Sequence, residues 1–513
     1  MEKAVTDMKR SPTFCACMGT NTVAGDFGGE LIMPDYYPEI RKIVTVRASV
    51  LPDSKYIHQN ELEMGGALCF SVLYIGDDQT LSCIPYVAEY SQVMTLLGEG
   101  MSADCISVES IAENVSARPL GPRKISLKAR VKSRVYFDRY EAYQPQITCL
   151  DRTPLDAARR RSIEKLEKKI PCTEKKIYTL TGSIKGELET EGIMKPVMCY
   201  GDILICETRS DSKVLTVKGE AALSAVVQVA DGTYKTLCHS IPFEERIDGD
   251  TLTKSTRAAV LARLASASVT LDDDKRPLFF EVEYDLDAYT ANESSITYID
   301  DSYSREYEME KVHREIKSQS ILCASNAVIP LSCEGRRRSA GAECDFIISC
   351  MADAQIERAD CLGDKVSISG LCNFSAYIAS GGEVVTEEFS SAFSVEVPIP
   401  EGRTASDICY HAKAGVSGCN CTVKDQRLRA DCRIALSFMA FSVDTVYPLW
   451  EATVGEKTKS QSGDCMIRVC YPEKGRRIWD IAKEYRANTS VCERLNKKGR
   501  TDICDDSPVI IRS

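Results

Sequence analysis

One stretch of this chain occurs three times. It covers residues 66–76, 219–231 and 370–381, and each copy begins at a glycine (Gly66, Gly219, Gly370) with a serine five residues on (Ser71, Ser224, Ser375). Two, four, six and eight residues past the glycine stand Leu68, Phe70, Val72 and Tyr74; Ala221, Leu223, Ala225 and Val227; and Cys372, Phe374, Ala376 and Ile378. All are apolar or small. The other face is more mixed: Cys69, Ser71 and Leu73; Ala222, Ser224 and Val226; Asn373, Ser375 and Tyr377. A period of two over eight residues is the signature of a half-buried strand. The sequence therefore predicts one β-unit used three times, and function is expected where the chain does not repeat.

A second landmark keeps the same register. A turn at Gly121-Pro122-Arg123-Lys124 leads into Ile125–Val135. One at Asp272–Arg276 leads into Leu278–Tyr289, and one at Lys424–Arg427 into Leu428–Phe441. Arg123, Lys275 and Asp425 lie 57, 56 and 55 residues after their glycines. The expected fold class is mainly β: three tandem β-sandwich or barrel-like units at 34–150, 171–295 and 319–445, then a small βααβ domain at 465–513. Residues 1–33 read as a flexible lead-in and 446–464 as a linker. Two linkers, 151–170 and 296–318, read as helical, because Leu155, Ala158, Ile163 and Leu166, and then Tyr303, Tyr307 and Val312, recur at loose helical spacing.

The net charge of −11 over 513 residues excludes a general nucleic-acid binder, which needs a basic surface. Residues 465–513 hold 11 Lys/Arg against 7 Asp/Glu, so a basic tail follows an acidic body, and a separate partner for the tail is expected. The N-terminal residues lack the apolar core of a secretory signal and no run reaches the ~20 apolar residues of a membrane span, so a cytoplasmic location is expected. The 24 cysteines read chiefly as free thiols in a reducing compartment; Cys15 and Cys17 read as an exposed pair open to cross-linking.

The sequence has no Gly-x-x-x-x-Gly-Lys-Ser/Thr phosphate loop, no Gly-x-Ser-x-Gly elbow and no His-Glu-x-x-His. The recurring serine has no recurring base beside it and reads as a small polar residue on a strand face. His239 follows Cys238 on a strand, so the two point to opposite faces. The best zinc constellation is Cys409, His411, Cys419, Cys421 and Cys432, without a Cys-x-x-Cys knuckle, and the competing reading is buried thiols. No catalytic residue, metal or cofactor is assigned, and the expectation is a non-enzymatic protein.

The tail has its own pattern. Cys465–Tyr471 reads as a strand, Pro472–Gly475 as a turn and Ile478–Arg486 as a helix. A capping box at Ser490–Glu493 opens a second helix that buries Val491 and Leu495 and ends at Gly499, and Pro508–Arg512 is a closing strand. This tail resembles a LysM domain in Gly475, in the run Ile478-Trp479-Asp480-Ile481-Ala482-Lys483-Glu484-Tyr485, and in Asn496. It departs at Arg476-Arg477, where the family has Asp-Thr, and at Asp505-Asp506-Ser507, where the family has a glycine; both loops shape the sugar groove in glycan-binding members. The three β-units resemble SPOCS domains through Pro34-Asp35 to Ile40 with Ile43, the strand ending Val72-Leu73-Tyr74, and the closing hairpin. Three such units before a LysM domain is the arrangement of the SipL-like spore coat morphogenetic proteins. The resemblance implies a mother-cell scaffold recruited to the forespore surface. Its LysM-like tail would bind a coat morphogenetic ATPase resembling SpoIVA, with other coat proteins as further partners. Partner contact is expected at Lys474, Gly475, Arg476, Arg477, Ile478, Trp479, Lys483 and Asn496, with Trp479 either an exposed anchor or packed in the tail core. The alternative is a binder of peptidoglycan or N-acetylglucosamine polymers.

Overall fold

The computed structural model describes residues 13–96, 106–272, 277–337, 345–381, 383–400, 408–424, 427–458, 467–502 and 508–512. The fold is mainly β. The first six strands are β1 (Thr13–Ile32), β2 (Ile40–His58), β3 (Glu61–Gly76), β4 (Leu81–Thr95), β5 (Ile106–Gly121) and β6 (Lys124–Ala142). They form two three-stranded antiparallel sheets, β1-β6-β5 and β2-β3-β4. After β7 (Gln146–Cys149) and helix α1 (Ala157–Ser162) come β8 (Ile163–Leu188), β9 (Ile193–Asp211), β10 (Val214–Val229), β11 (Tyr234–Asp248), β12 (Arg257–Leu271) and β13 (Leu278–Ser304). Their sheets are β8-β13-β12 and β9-β10-β11. After β14 (Tyr307–His313) come β15 (Ile316–Arg336), β16 (Phe346–Leu362), β17 (Lys365–Ser380), β18 (Glu383–Pro398), β19 (Ile408–Lys424) and β20 (Arg427–Val446), with sheets β15-β20-β19 and β16-β17-β18. Each six-strand group thus has one strand order, the first strand beside the sixth and the middle three as a meander. In the second group the alternating residues of β10 (Ala221, Leu223, Ala225, Val227) and β13 (Phe280, Val282, Tyr284, Leu286) share one core, so the two sheets face each other.

The recurring glycine has a steric cause. In each group it pairs with an aromatic residue on the next strand: Gly66 with Tyr90, Gly219 with Phe243, Gly370 with Phe393. The preceding strand carries a β-bulge at the same level, at Pro52/Ser54, beside Gly219, and at Ile356/Arg358. The bulge pushes backbone towards the glycine and the aromatic ring covers it. A Cβ at Gly370 would meet Gln355 O at 2.2 Å and Phe393 Cζ at 2.5 Å; one at Gly219 would meet Leu204 O at 2.4 Å and Phe243 Cζ at 2.5 Å. Gly370→Ala is therefore expected to cost about 1–3 kcal/mol through overpacking against backbone, read as a lower urea midpoint at unchanged m value.

The three groups close on one another around an approximate three-fold axis. The fourth strand of each lies against the second strand of the next: β4 on β9, β11 on β16, β18 on β2. Leu81 N donates to Tyr234 Oη at 2.9 Å, Thr236 Oγ1 to Ile348 O at 2.8 Å, and Tyr377 Oη to Thr45 Oγ1 at 3.2 Å. On the axis Leu73, Val226 and Tyr377, seven residues after their glycines, are buried in one apolar cluster with Leu81, Met198, Ile348 and Met351. The strand face that read as mixed is where the groups meet. Further along the interface His411 stacks on Tyr289 (centroids 4.4 Å) and meets Tyr136 edge-on (5.0 Å), so its ring joins all three groups.

The linkers differ from expectation. Of residues 151–170 only α1 is helical, capped by Asp156 accepting from Arg159 N. From Ile163 the chain is strand, paired through β8 with β13 as far as Ser304. Leu166, Ile170 and Cys172 are buried at a period of two, and Lys168, which disguises the alternation, is ion-paired to Asp300 at 2.8 Å. The long ladder overrides local propensity. Residues 307–313 are strand β14, and the 446–464 segment contains β21 (Leu449–Lys457). β21 pairs with β14 on one side and, in parallel, with β7 on the other, so one sheet holds a strand from after each group. The supposed lead-in is β1, paired with β6 from Thr13 to Ile32. Residues 1–12, most of the 272–276 turn and residues 425–426 lie outside the described residues, and nothing is described of the Cys15 and Cys17 side chains. Among the described residues no helix is long and apolar enough to cross a membrane.

Candidate functional site

The unrepeated tail comprises β22 (Arg468–Cys470), α2 (Ile478–Glu484), α3 (Thr489–Asn496) and β23 (Val509–Ile511), with β22 and β23 antiparallel. Gly475 turns the chain at φ 99°. Arg477 opens α2 through the Asp480 carboxylate, which accepts from its backbone N at 3.2 Å and its guanidinium at 3.0 Å. These contacts lower the Asp480 pKa, the Arg477 hydrogen bond being the main cause. The cap of α3 is Asn488, accepting from Val491 N at 3.1 Å, and not Ser490. That shift of two residues changes the buried face: Cys492 is buried and Leu495 is 40% exposed.

The tail core is Ile478, Trp479, Ile481, Ala482, Ala487, Cys492, Val509 and Ile511, joined by Leu166 and Tyr303 from the body. Trp479 is fully buried. Its Nε1 donates to Asp301 Oδ2 at 3.0 Å and its ring meets Tyr303 edge-on at 5.0 Å. Lys483 Nζ reaches the same Asp301 oxygen at 2.5 Å and Lys311 Nζ the other at 2.7 Å. Burial alone would raise the Asp301 carboxyl, but the hydrogen bonds from Lys311, Lys483 and Trp479 outweigh it and bring the pKa down to about 2. Around this point Tyr303 Oη donates to Ala487 O at 2.6 Å, Arg486 to Tyr307 O at 3.0 Å and Glu308 at 2.6 Å, and Arg500 to Lys165 O at 2.7 Å. The basic tail is thus seated on the acidic end of β13 and on β14.

The residues expected to bind a partner divide accordingly. Trp479 and Lys483 are used against the body, so Trp479 is not an exposed anchor. Ile478 is core. Asn496 ties α3 to β23 by donating to Ile510 O and accepting from Ile510 N, both at 2.7 Å. Arg477 is engaged by Asp480, and Arg476 by Glu484 at 2.5 Å. Lys474 and Gly475 are exposed on the turn. Residues 503–507, with the Asp505-Asp506-Ser507 loop, lie outside the described residues, as does Cys465.

Sequence reasoning missed the outer face of β22. Ile467, Val469 and Tyr471 are 61%, 56% and 76% exposed, and Val469 sits across from Ile510. The signal was present in the period of two from Ile467 to Tyr471, which was read only as a strand.

The zinc constellation does not converge. A bulge between Ser417 and Asn420, where Gly418 has φ 61°, reverses the alternation of β19. His411 therefore faces the neighbouring groups while Cys419 and Cys421 face the third group's own core. Among the described residues no set of three or more His, Cys, Asp or Glu is placed to hold a metal. Ser224 Oγ lies 3.7 Å from Cys238 Sγ on its own sheet. No protein-family model, curated protein or solved structure matches the chain.

Proposed function

We propose that the chain is a non-enzymatic adaptor of endospore coat assembly: three SPOCS-like β-units act as a rigid platform and a LysM-like tail docks a coat morphogenetic ATPase on the forespore surface of the mother cell. One observation carries the reading. The tail is fixed to the platform through Trp479 and Lys483, and its β22 strand exposes Ile467, Val469 and Tyr471 in a row. An exposed apolar strand face, beside the exposed Lys474 turn, suits a protein partner with an apolar patch and acidic rim.

The test is a pair of surface variants, Val469→Asp and Tyr471→Glu, which leave the tail core intact. Each is expected to weaken binding of the purified ATPase at least ~10-fold, as loss of an aromatic or aliphatic anchor does, and to abolish recruitment to the forespore. Retention of insoluble peptidoglycan by the unaltered chain, with both variants recruited normally, would overturn the reading in favour of glycan binding.

A further inference from the structure

The third β-group differs from the other two in the chemistry of its core. Cys333, Cys350, Cys372, Cys421 and Cys432 are buried within one apolar cluster, and Cys419 packs against it. They come from both sheets: Cys350 and Cys372 from the β16-β17-β18 sheet, Cys333, Cys419, Cys421 and Cys432 from the β15-β20-β19 sheet. Valine or leucine would fill this space without polar atoms, so the thiols are not needed for packing alone.

Within the cluster the sulfurs meet across the gap between the sheets, Cys350 against both Cys419 and Cys421, and Cys372 against Cys432. Cys419 Sγ lies 3.4 Å from Cys350 Sγ, inside van der Waals separation, and the two residues are 69 apart in sequence. Cys419 is only half-buried and follows the exposed Gly418 of the β19 bulge, whereas Cys350 is 4% exposed. Cys419 is therefore the member of the pair nearer the surface, with Cys350 deeper in the core. Contacts with Cys419 and Cys421, together with burial, raise the Cys350 pKa. The second cross-sheet pair, Cys372 and Cys432, is buried on both sides.

We propose that Cys419 and Cys350 form a peroxide-sensitive thiol pair whose oxidation staples the two sheets of the third β-group. A peroxide is the oxidant. The Cys419 sulfur attacks one peroxide oxygen, the O–O bond breaks, and Cys419 becomes a sulfenic acid with release of one water. The Cys350 sulfur then attacks Cys419 Sγ, and the S–O bond breaks as a disulfide forms. The Cys350 proton leaves with the departing hydroxide as a second water. Each cysteine gives up one electron and the peroxide takes up two. The bond closes a loop between β16 and β19 and restricts the unfolded chain, so the oxidised protein is the more stable form.

The experiment treats the full chain with hydrogen peroxide at low molar excess, alkylates remaining thiols after unfolding, and maps peptides by mass spectrometry. The expected product has lost two hydrogens at a Cys350–Cys419 bond, while Cys372 and Cys432 remain alkylated, and its thermal midpoint is raised. In Cys350→Ser the same dose leaves Cys419 as a sulfenic acid trapped by dimedone. Full alkylation of Cys419 after peroxide, or a first bond mapping to Cys421 or to the Cys372–Cys432 pair, overturns the proposal. Cys419→Ser, at a half-buried position, provides a folded control that forms no bond at Cys350.

Discussion

Asp301→Ala is expected to unseat the tail. The carboxylate is the common acceptor for Trp479 Nε1, Lys483 and Lys311, and its side chain is only 18% exposed. Its removal leaves an indole N–H and two ammonium groups facing one another without a counter-charge. The loss costs about 1–3 kcal/mol, because the buried indole N–H and the partly exposed ammonium groups lose a shared acceptor. Two readouts separate unseating from global unfolding. Trp479 fluorescence shifts to the red as the indole meets water, while the far-ultraviolet circular dichroism of the β-body is unchanged. Acid gives the same result without mutation. The folded pKa of Asp301, about 2, lies below the ordinary 3.8, so between these values the unfolded form binds more protons. The contribution, about 2 kcal/mol, is fully present above pH ~4 and is lost as pH falls through 2. An acid transition in Trp479 emission is expected in that window, and Asp301→Asn should abolish it.

Val226→Asp is expected to open the body. Val226 is fully buried on the three-fold axis beside Leu73 and Tyr377, and an aspartate there would bury its carboxylate among apolar side chains. An unpaired buried carboxylate is among the few single changes that cost more than about 4 kcal/mol. The predicted readout is specific: the groups separate before they unfold, so small-angle scattering reports a larger radius of gyration at near-native circular dichroism. Val87→Asp, at a position 60% exposed on β4, is the control and should change neither.

The β-units were legible because their signal is local. A period of two over eight residues needs no knowledge of the partner strand, and the residues it marked, Leu68, Phe70, Leu223 and Phe374, lie in the cores. The arrangement of the units was not legible. Leu73, Val226 and Tyr377 looked like a mixed face, since a residue buried against another unit has the same spacing as one facing water. The linkers failed for a related reason. Leu166 and Ile170 are compatible with either period, and the decision belongs to a ladder with residues more than 100 positions away. In the tail the first helix was readable from helical spacing while the cap of the second was misplaced by two residues, and the role of Trp479 depended on Asp301, which no local pattern connects to it. The β19 bulge defeated the zinc reading because counting by twos assumes an unbroken strand.

The small sheet that joins β7 to β21 sets a condition on synthesis. β7 ends at Cys149 and its only neighbour among the described strands begins at Leu449. At about 5–20 residues per second, a ribosome needs on the order of 15–60 s to supply that neighbour. Two complete β-groups therefore emerge, with an unsatisfied strand between them, before the first can be locked. A nascent chain in this interval exposes pairing edges to other nascent chains on the same message. Rare codons or a stall within the third group lengthen that exposure, and aggregation of newly made chains, rather than loss of finished protein, is the failure to expect.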